Sequence, residues 1–306
     1  MTKLKKIVLA SSLACVGFIS ANAIAADEPA SPHTLTANVG LYSQYVFRGL
    51  AQTNEEAALQ GGFDYAHSSG FYLGVWGSNI SWLKENLTPT TGVVGGTYKS
   101  GGSLELDFYG GYKGSVGDFS YDVGLLQYYY PGDLHSPLTG YTVNGNKANT
   151  LEAYIAGSWK WFTVKYSQSI SDKTFGVGKS SGTSYLDLSA SFPIAETGLT
   201  LGAHYGVQTY KGTDPNNTPL YAAGLSNDDL FSYEDWKISL AYDMGKIGKT
   251  FNGMSVGVAY TDTSSATCAG YGKYSERCSL KGNLLPGAYP ENIADGKATV
   301  WISKTF

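Results

Sequence analysis

Cysteine, histidine and charge are all scarce in this chain of 306 residues, which carries 3 Cys, 4 His and 15% charged side chains. After the first 25 residues, no run of about 18 apolar residues occurs, which excludes a membrane-spanning helix. The formal charge of -4 gives no basic surface for nucleic acid. Two of the cysteines, Cys268 and Cys278, lie close together in a Gly/Ser/Tyr-rich segment, and the histidine nearest to them in sequence is His204. A zinc site needs more ligands than that, so the pair reads as a disulfide staple in a loop of an exported protein, with no metal and no cofactor. Enzyme chemistry is equally short of material. His67, His135 and His204 belong to no recognisable serine motif, and Gly178-Lys179-Ser180 ends like a phosphate loop but has Lys173 where that motif needs glycine.

What is abundant is glycine, at 39 residues, and tyrosine, at 24. The N-terminus has Lys3, Lys5 and Lys6 ahead of an apolar stretch from Ile7 to Ile19 and then Ala23-Ile24-Ala25, the layout of a secretory signal peptide cut after Ala25. Losing those three lysines takes the formal charge from -4 to -7. Cys15 follows Ser12-Leu13-Ala14, and Ser12 stands where a lipoprotein signal carries an aliphatic residue, which argues against lipid attachment. This divides the chain into a leader at 1–25, a short segment at 26–36 and one barrel domain at 37–306.

Beyond the leader, apolar side chains recur at every second residue, the period of a strand with one greasy and one wet face. The spacing predicts twelve strands: 37–48, one around Leu59 to Tyr65, one from Phe71 to Ser78, then 104–112, 119–129, 151–159, 162–169, 184–192, 199–208, 235–242, 254–261 and 297–306. On the first, Val39, Leu41, Tyr45 and Phe47 share the greasy parity, and Asn38, Tyr42, Gln44 and Arg48 the wet one. Charges make a partial check of the phase. Arg48, Asp64, Glu105, Asp107, Asp122, Glu152, Lys165, Asp187, Asp235, Lys237 and Lys297 all fall on the wet parity, and Lys304 alone falls on the greasy one. A charge facing hydrocarbon at mid-depth costs roughly 2–4 kcal/mol, less near a strand end, which accounts for this segregation.

Short turns alternate with long polar connections, the asymmetry of periplasmic turns and external loops, and lipid-face aromatics collect at both ends of the strands. Those beside the turns are Tyr65, Phe71, Tyr112, Phe119, Trp159, Phe162, Phe192, Tyr242 and Phe306; those beside the loops are Phe47, Tyr129, Tyr166, Trp236 and Tyr260. The expected fold is therefore an all-β, antiparallel up-and-down barrel of twelve strands in the outer membrane of a Gram-negative bacterium. Lipid offers no partner to backbone N–H and C=O groups, so only a helix or a closed barrel satisfies them all. A soluble β-sandwich would need a second sheet over the greasy face. Its expected partners are outer-membrane lipid, small polar solutes and the barrel assembly machinery, addressed through the terminal Phe306.

The run Ser43-Gln44-Tyr45-Val46-Phe47-Arg48-Gly49-Leu50-Ala51-Gln52-Thr53, then Gln60-Gly61-Gly62-Phe63-Asp64-Tyr65 and Gly70-Phe71-Tyr72-Leu73-Gly74-Val75-Trp76, resembles the opening of the TorF family of outer-membrane porins. The match covers residues 38–80; elsewhere only strand rhythm and the terminal Phe carry it. The resemblance implies a Gram-negative outer-membrane barrel with a channel role, and it supplies no substrate and no catalytic residue. Lys304 departs from the apolar or aromatic residue common third from the end of such barrels.

The wet face holds seven acids (Asp64, Glu105, Asp107, Asp122, Glu152, Asp187, Asp235) against four bases (Arg48, Lys165, Lys237, Lys297), with His204 in addition. With no arginine or lysine ladder, this lining favours a channel for small polar solutes with a mild cation preference. The alternative is that acids and bases pair across a narrow bore and close it, leaving a structural, adhesive or loop-mediated binding role. Arg48 either positions an anionic solute or, the favoured reading, pairs with Asp64 on the neighbouring strand. Wet-face aromatics such as Tyr72, Trp76, Tyr109, Tyr128, Tyr154, Tyr185 and Trp301 read as filler ahead of stacking platforms for a sugar.

Overall fold

The computed structural model describes residues 31–85, 102–132, 147–213, 226–264 and 293–306. The leader and the cysteine pair Cys268 and Cys278 lie outside the described residues.

Alternation makes the strands. In Phe162–Ser169, the side chains of Phe162, Val164 and Tyr166 are exposed while Thr163, Lys165, Ser167 and Ser169 are buried, the polar parity being the enclosed one. The same inversion of the usual soluble pattern runs through the sheet, with Leu35, Leu59, Phe63, Leu73, Ile155 and Val300 each more than half exposed. An apolar band of that extent is stable only against an apolar medium.

Twelve strands form the wall: β1 (His33–Tyr42), β4 (Ala58–His67), β5 (Phe71–Asn79), β6 (Leu104–Val116), β7 (Phe119–Tyr129), β8 (Thr150–Trp159), β9 (Phe162–Ser169), β10 (Ser184–Ile194), β11 (Leu199–Thr209), β12 (Tyr233–Asp243), β13 (Met254–Ser264) and β14 (Lys297–Thr305). Each pairs antiparallel with its sequence neighbours, and β14 returns to β1 through Asn38↔Thr305 to Tyr42↔Trp301, closing the barrel. Closure leaves no strand edge unpaired. Phe306 extends the seam, its N–H donating to the Ala37 carbonyl at 2.8 Å while its ring stays exposed. Lys304, on the outer face, donates to the carbonyl of Asn252 in the turn below.

Several boundaries differ from the sequence reading: β6, β10 and β13 run on to Val116, Ile194 and Ser264, β12 spans Tyr233–Asp243, and the first strand changes at both ends. The first strand begins at His33, four residues before Ala37, because Thr34, Leu35 and Thr36 continue the alternation and pair with β4. It also ends at Tyr42 and does not run on to Arg48. Two short strands, β2 (Val46–Phe47) and β3 (Leu50–Ala51), instead form a separate hairpin that turns into the barrel.

The interior is filled largely by aromatic rings leaning over glycines of the neighbouring strand. A Cβ at Gly206 would collide with the Tyr185 hydroxyl, and one at Gly257 with the Trp301 ring. Towards the long-loop end, Tyr45, Trp76, Trp82, Tyr128, Tyr130 and Tyr154 form a buried cluster inside the wall. A four-residue helix, α1 (Trp82–Glu85), and a five-residue one, α2 (Asn227–Phe231), cap this end; α2 buries Leu230 and Phe231 with Val177 and Tyr210.

Candidate functional site: the lumen and its inward hairpin

Local chemistry turns the chain inward after Tyr42. Ser43 still holds the wall, its N–H donating to the Val300 carbonyl at 2.9 Å and its Oγ accepting from the Val300 N–H at 3.0 Å. Gln44 then points its amide at the Ala298 carbonyl, 2.8 Å away, and the backbone departs. Arg48 and Gly49 have φ of 45° and 80°, the two left-handed residues of a two-residue hairpin turn. Glycine is needed at the second position on steric grounds too, since a Cβ there would lie 2.6 Å from both Asp235 Cβ and Thr263 Cγ2. The hairpin tip therefore touches β12 and β13, three and two strands around the wall from the strand it left.

At that tip the Arg48 guanidinium makes a bidentate pair with Glu152, Nη1 to Oε1 at 3.0 Å and Nη2 to Oε2 at 2.8 Å, with the side chains only 7% and 3% exposed. Nη1 also donates to Gln208 Oε1 at 3.0 Å. The guanidinium carbon sits 4.2 Å from the centre of the Tyr185 ring and 4.9 Å from that of Phe47. One residue thus joins the hairpin to β8, β10 and β11. A planar, delocalised cation on aromatic faces with a forked carboxylate is the environment arginine suits and lysine does not. Arg48 pairs with Glu152, then, and not with Asp64 as its apparent strand position suggests; Asp64 accepts instead from the Tyr109 hydroxyl at 2.5 Å. Tyr45 and Phe47 likewise leave the lipid face. Tyr45 is buried and donates to Glu105 at 2.8 Å, while Phe47 packs edge-on against Tyr128 and Phe175.

The other predicted lining residues stand on the inward parity of the wall. Glu105 and Asp107 are buried on β6, Lys165 on β9 with its ammonium 4.0 Å from the Tyr154 ring centre, and Lys297 on β14 in contact with Glu55. Asp122 accepts from the Tyr72 hydroxyl at 2.6 Å, and that hydroxyl also meets the one of Tyr154. Lys237 is half-buried, opposite His204 in the β11–β12 register. His204 is held between two carboxylates, with Nε2 2.9 Å from Asp235 Oδ1 and Nδ1 3.3 Å from Asp187 Oδ1. Tyr185 donates to the free oxygen of Asp235 at 2.7 Å, and Ser189 donates to Asp187. Serine, histidine and aspartate are close here: Ser189 Oγ lies 3.3 Å from His204 Nδ1 as well as donating to Asp187, and both imidazole nitrogens face acids. That arrangement clasps strands β10, β11 and β12.

The hairpin left two signals in the sequence. Ser43 falls on the parity that should face lipid, and Val46 falls on the parity that should face water. Both mark the point where the strand has ended.

Closure of twelve amphipathic strands, greasy outside and charged within, defines a β-barrel of the membrane-spanning class. The chain belongs to the Gcw_chp family, described as bacterial protein of unknown function, whose profile matches residues 26–284. No curated protein matches it in sequence. Among solved structures it is similar to the KdgM porin, at 10% identity over 89% of this chain and 99% of that one with a TM-score of 0.45. It is similar also to the NanC porin, at 11% identity over the same shares with a TM-score of 0.45. The outer membrane protein OprD from Pseudomonas aeruginosa matches at 12% identity over 89% of this chain and 65% of that one, with a TM-score of 0.36.

Proposed function

We propose that this protein is an outer-membrane channel for small polar solutes with a mild preference for cations. The observation that supports this is the closed wall itself, with an apolar outer band around an interior lined by acids, bases and hydroxyls. Such a lining serves no purpose in a barrel filled only to be stable, since hydrophobic side chains fill a narrow bore at lower cost than buried charges do. Acids outnumber bases on the wall. One oxygen of Asp107 and one of Asp64 have no hydrogen-bond partner among the described residues, so the acidic groups of the interior are not wholly spent on internal pairs.

The resemblance of residues 38–80 to TorF porins agrees with this reading, as does the leader, cut after Ala25, that delivers the chain across the inner membrane. In the same reading the long connections face outward with Cys268 and Cys278 joined, the short turns face the periplasm, and Phe306 addresses the assembly machinery. The chain is not an enzyme; the His204 cluster is a clasp.

A second reading, a closed barrel with a structural or loop-mediated binding role, is favoured by one observation: the hairpin at 43–57 occupies the lumen towards the long-loop end. Refolding the mature chain and recording in a planar bilayer separates the two. Discrete conductance steps whose reversal potential in a salt gradient favours cations support the channel. A chain that shows heat-modifiable mobility on a detergent gel, and so is folded, yet stays silent over a range of salt and voltage supports the closed barrel.

A further inference from the structure

The wall is complete without the hairpin. Tyr42 pairs directly with Ala58, and the β1–β4 register runs unbroken from there to His33 and His67. Everything between Ser43 and Ala57 is an insertion at a connection that two or three residues would close. Past Ser43 and Gln44, which still bond the β14 backbone at Val300 and Ala298, the inserted segment makes no backbone–backbone hydrogen bond to a wall strand among the described residues, which separates it from the residues that hold the barrel together.

Its attachments inside the lumen are specific, and the Gln52 carbonyl also accepts from the Ser81 and Trp82 N–H groups at 2.8 and 3.2 Å. The tip is held by Arg48 to Glu152 and Gln208, the tyrosine of its rising arm by Glu105, and its return arm by the Ala51 N–H donating to the Ile293 carbonyl at 2.8 Å and by Glu55 to Lys297. Arg48, Asn54 and Glu55 are non-glycine residues at φ of 45°, 48° and 65°. Three such residues in fifteen concentrate strained backbone in this one segment, a condition that persists only while surrounding contacts enforce it. Behind the hairpin the wall carries Glu105, Asp107, Glu152 and Asp235, all buried. Arg48 is the cation that this insertion brings to them.

We propose that Ser43–Ala57 is a displaceable plug, latched by the Arg48–Glu152 pair, and that the passage it uncovers is acidic and prefers cations. The inference rests on the channel reading and adds its regulation: the resting lumen is closed at the long-loop end, and opening withdraws Arg48 from the acids it neutralises. Packing of Tyr45 against Trp76, and of Phe47 against Tyr128 and Phe175, keeps the plug seated most of the time, so openings are infrequent.

The test compares four forms of the mature chain in planar bilayers, each first shown to be folded by heat-modifiable mobility. They are the wild type, Glu152→Gln, a chain with residues 44–56 replaced by two glycines, and a Glu55→Cys, Lys297→Cys form, at two side chains in contact, bridged by a reducible thiol crosslinker in a background lacking Cys268 and Cys278. A buried guanidinium deprived of its carboxylate strongly destabilises the latched state, so Glu152→Gln should raise opening frequency by roughly tenfold or more. The shortened chain should conduct steadily, with a reversal potential shifted further towards the cation value than in the wild type. The crosslinked form should be silent until a reductant is added. A wild type that conducts steadily, with Glu152→Gln and the crosslink both without effect, overturns the plug and leaves the channel standing. A shortened chain that is folded and silent overturns the channel and the plug together. If the crosslinkable form does not fold, the first three decide.

Discussion

Ile155 lies near the middle of β8 on the outer face, 58% exposed, four residues from Trp159 at the turn end. At about 3.3 Å per residue and a tilt near 45°, four residues correspond to roughly 9 Å along the membrane normal. With Trp159 at one interface of an apolar band about 25 Å tall, Ile155 sits within a few Å of the midplane. Arginine there should cost about 2–4 kcal/mol, against about 0–1 kcal/mol near an interface. Leu35, 72% exposed and paired with the interfacial Tyr65, is the matched control. Both variants replace one exposed aliphatic side chain with the same cation, so their difference reports depth alone. Denaturant titration of the refolded barrel in lipid vesicles, followed by tryptophan fluorescence, measures both. Ile155→Arg should move the folding equilibrium by on the order of 30-fold or more, since about 1.4 kcal/mol corresponds to a factor of ten. Equal and small costs at the two positions, or an Ile155→Arg chain that is folded and soluble without detergent, would refute the assignment of this face to hydrocarbon.

Three further outcomes can be measured, two of them in the interior. His204→Ala leaves Asp187 and Asp235 facing each other's strands without the group between them; it should cost about 1–3 kcal/mol of stability in the same titration, and Asp235→Asn should recover part of that in the double variant. Gly257→Ala drives a methyl into the Trp301 ring and should destabilise by about 1–3 kcal/mol, with Trp301→Leu in the double variant relieving most of it. Thiol labelling of the denatured, unreduced mature chain should find no free cysteine, and two after reduction; labelling before reduction would refute the Cys268–Cys278 disulfide.

The strands and their facing were readable one residue at a time, because strand period is a local property and a barrel in lipid inverts it wholesale. Phe162–Ser169 shows this: Phe162, Val164 and Tyr166 face out between Thr163, Lys165, Ser167 and Ser169, which are enclosed. The charges followed for the same reason. What stayed hidden was the partner of each charge. The wet parity says that Asp187, His204 and Asp235 share the interior, but only the register of β10, β11 and β12 brings both carboxylates to one imidazole.

The hairpin marks the division most clearly. Tyr45, Phe47 and Arg48 continue the alternation of the first strand well enough to be read as part of it. Their fate was decided by Glu152, 104 residues away, and by Asp235 and Thr263 on β12 and β13. Local sequence determined that a greasy-outside, charged-inside wall would form and how many times it would cross. Only closure of that wall created a lumen of definite width, with an acid at the place an arginine could reach, and a segment with equal local claim to the wall was drawn inside.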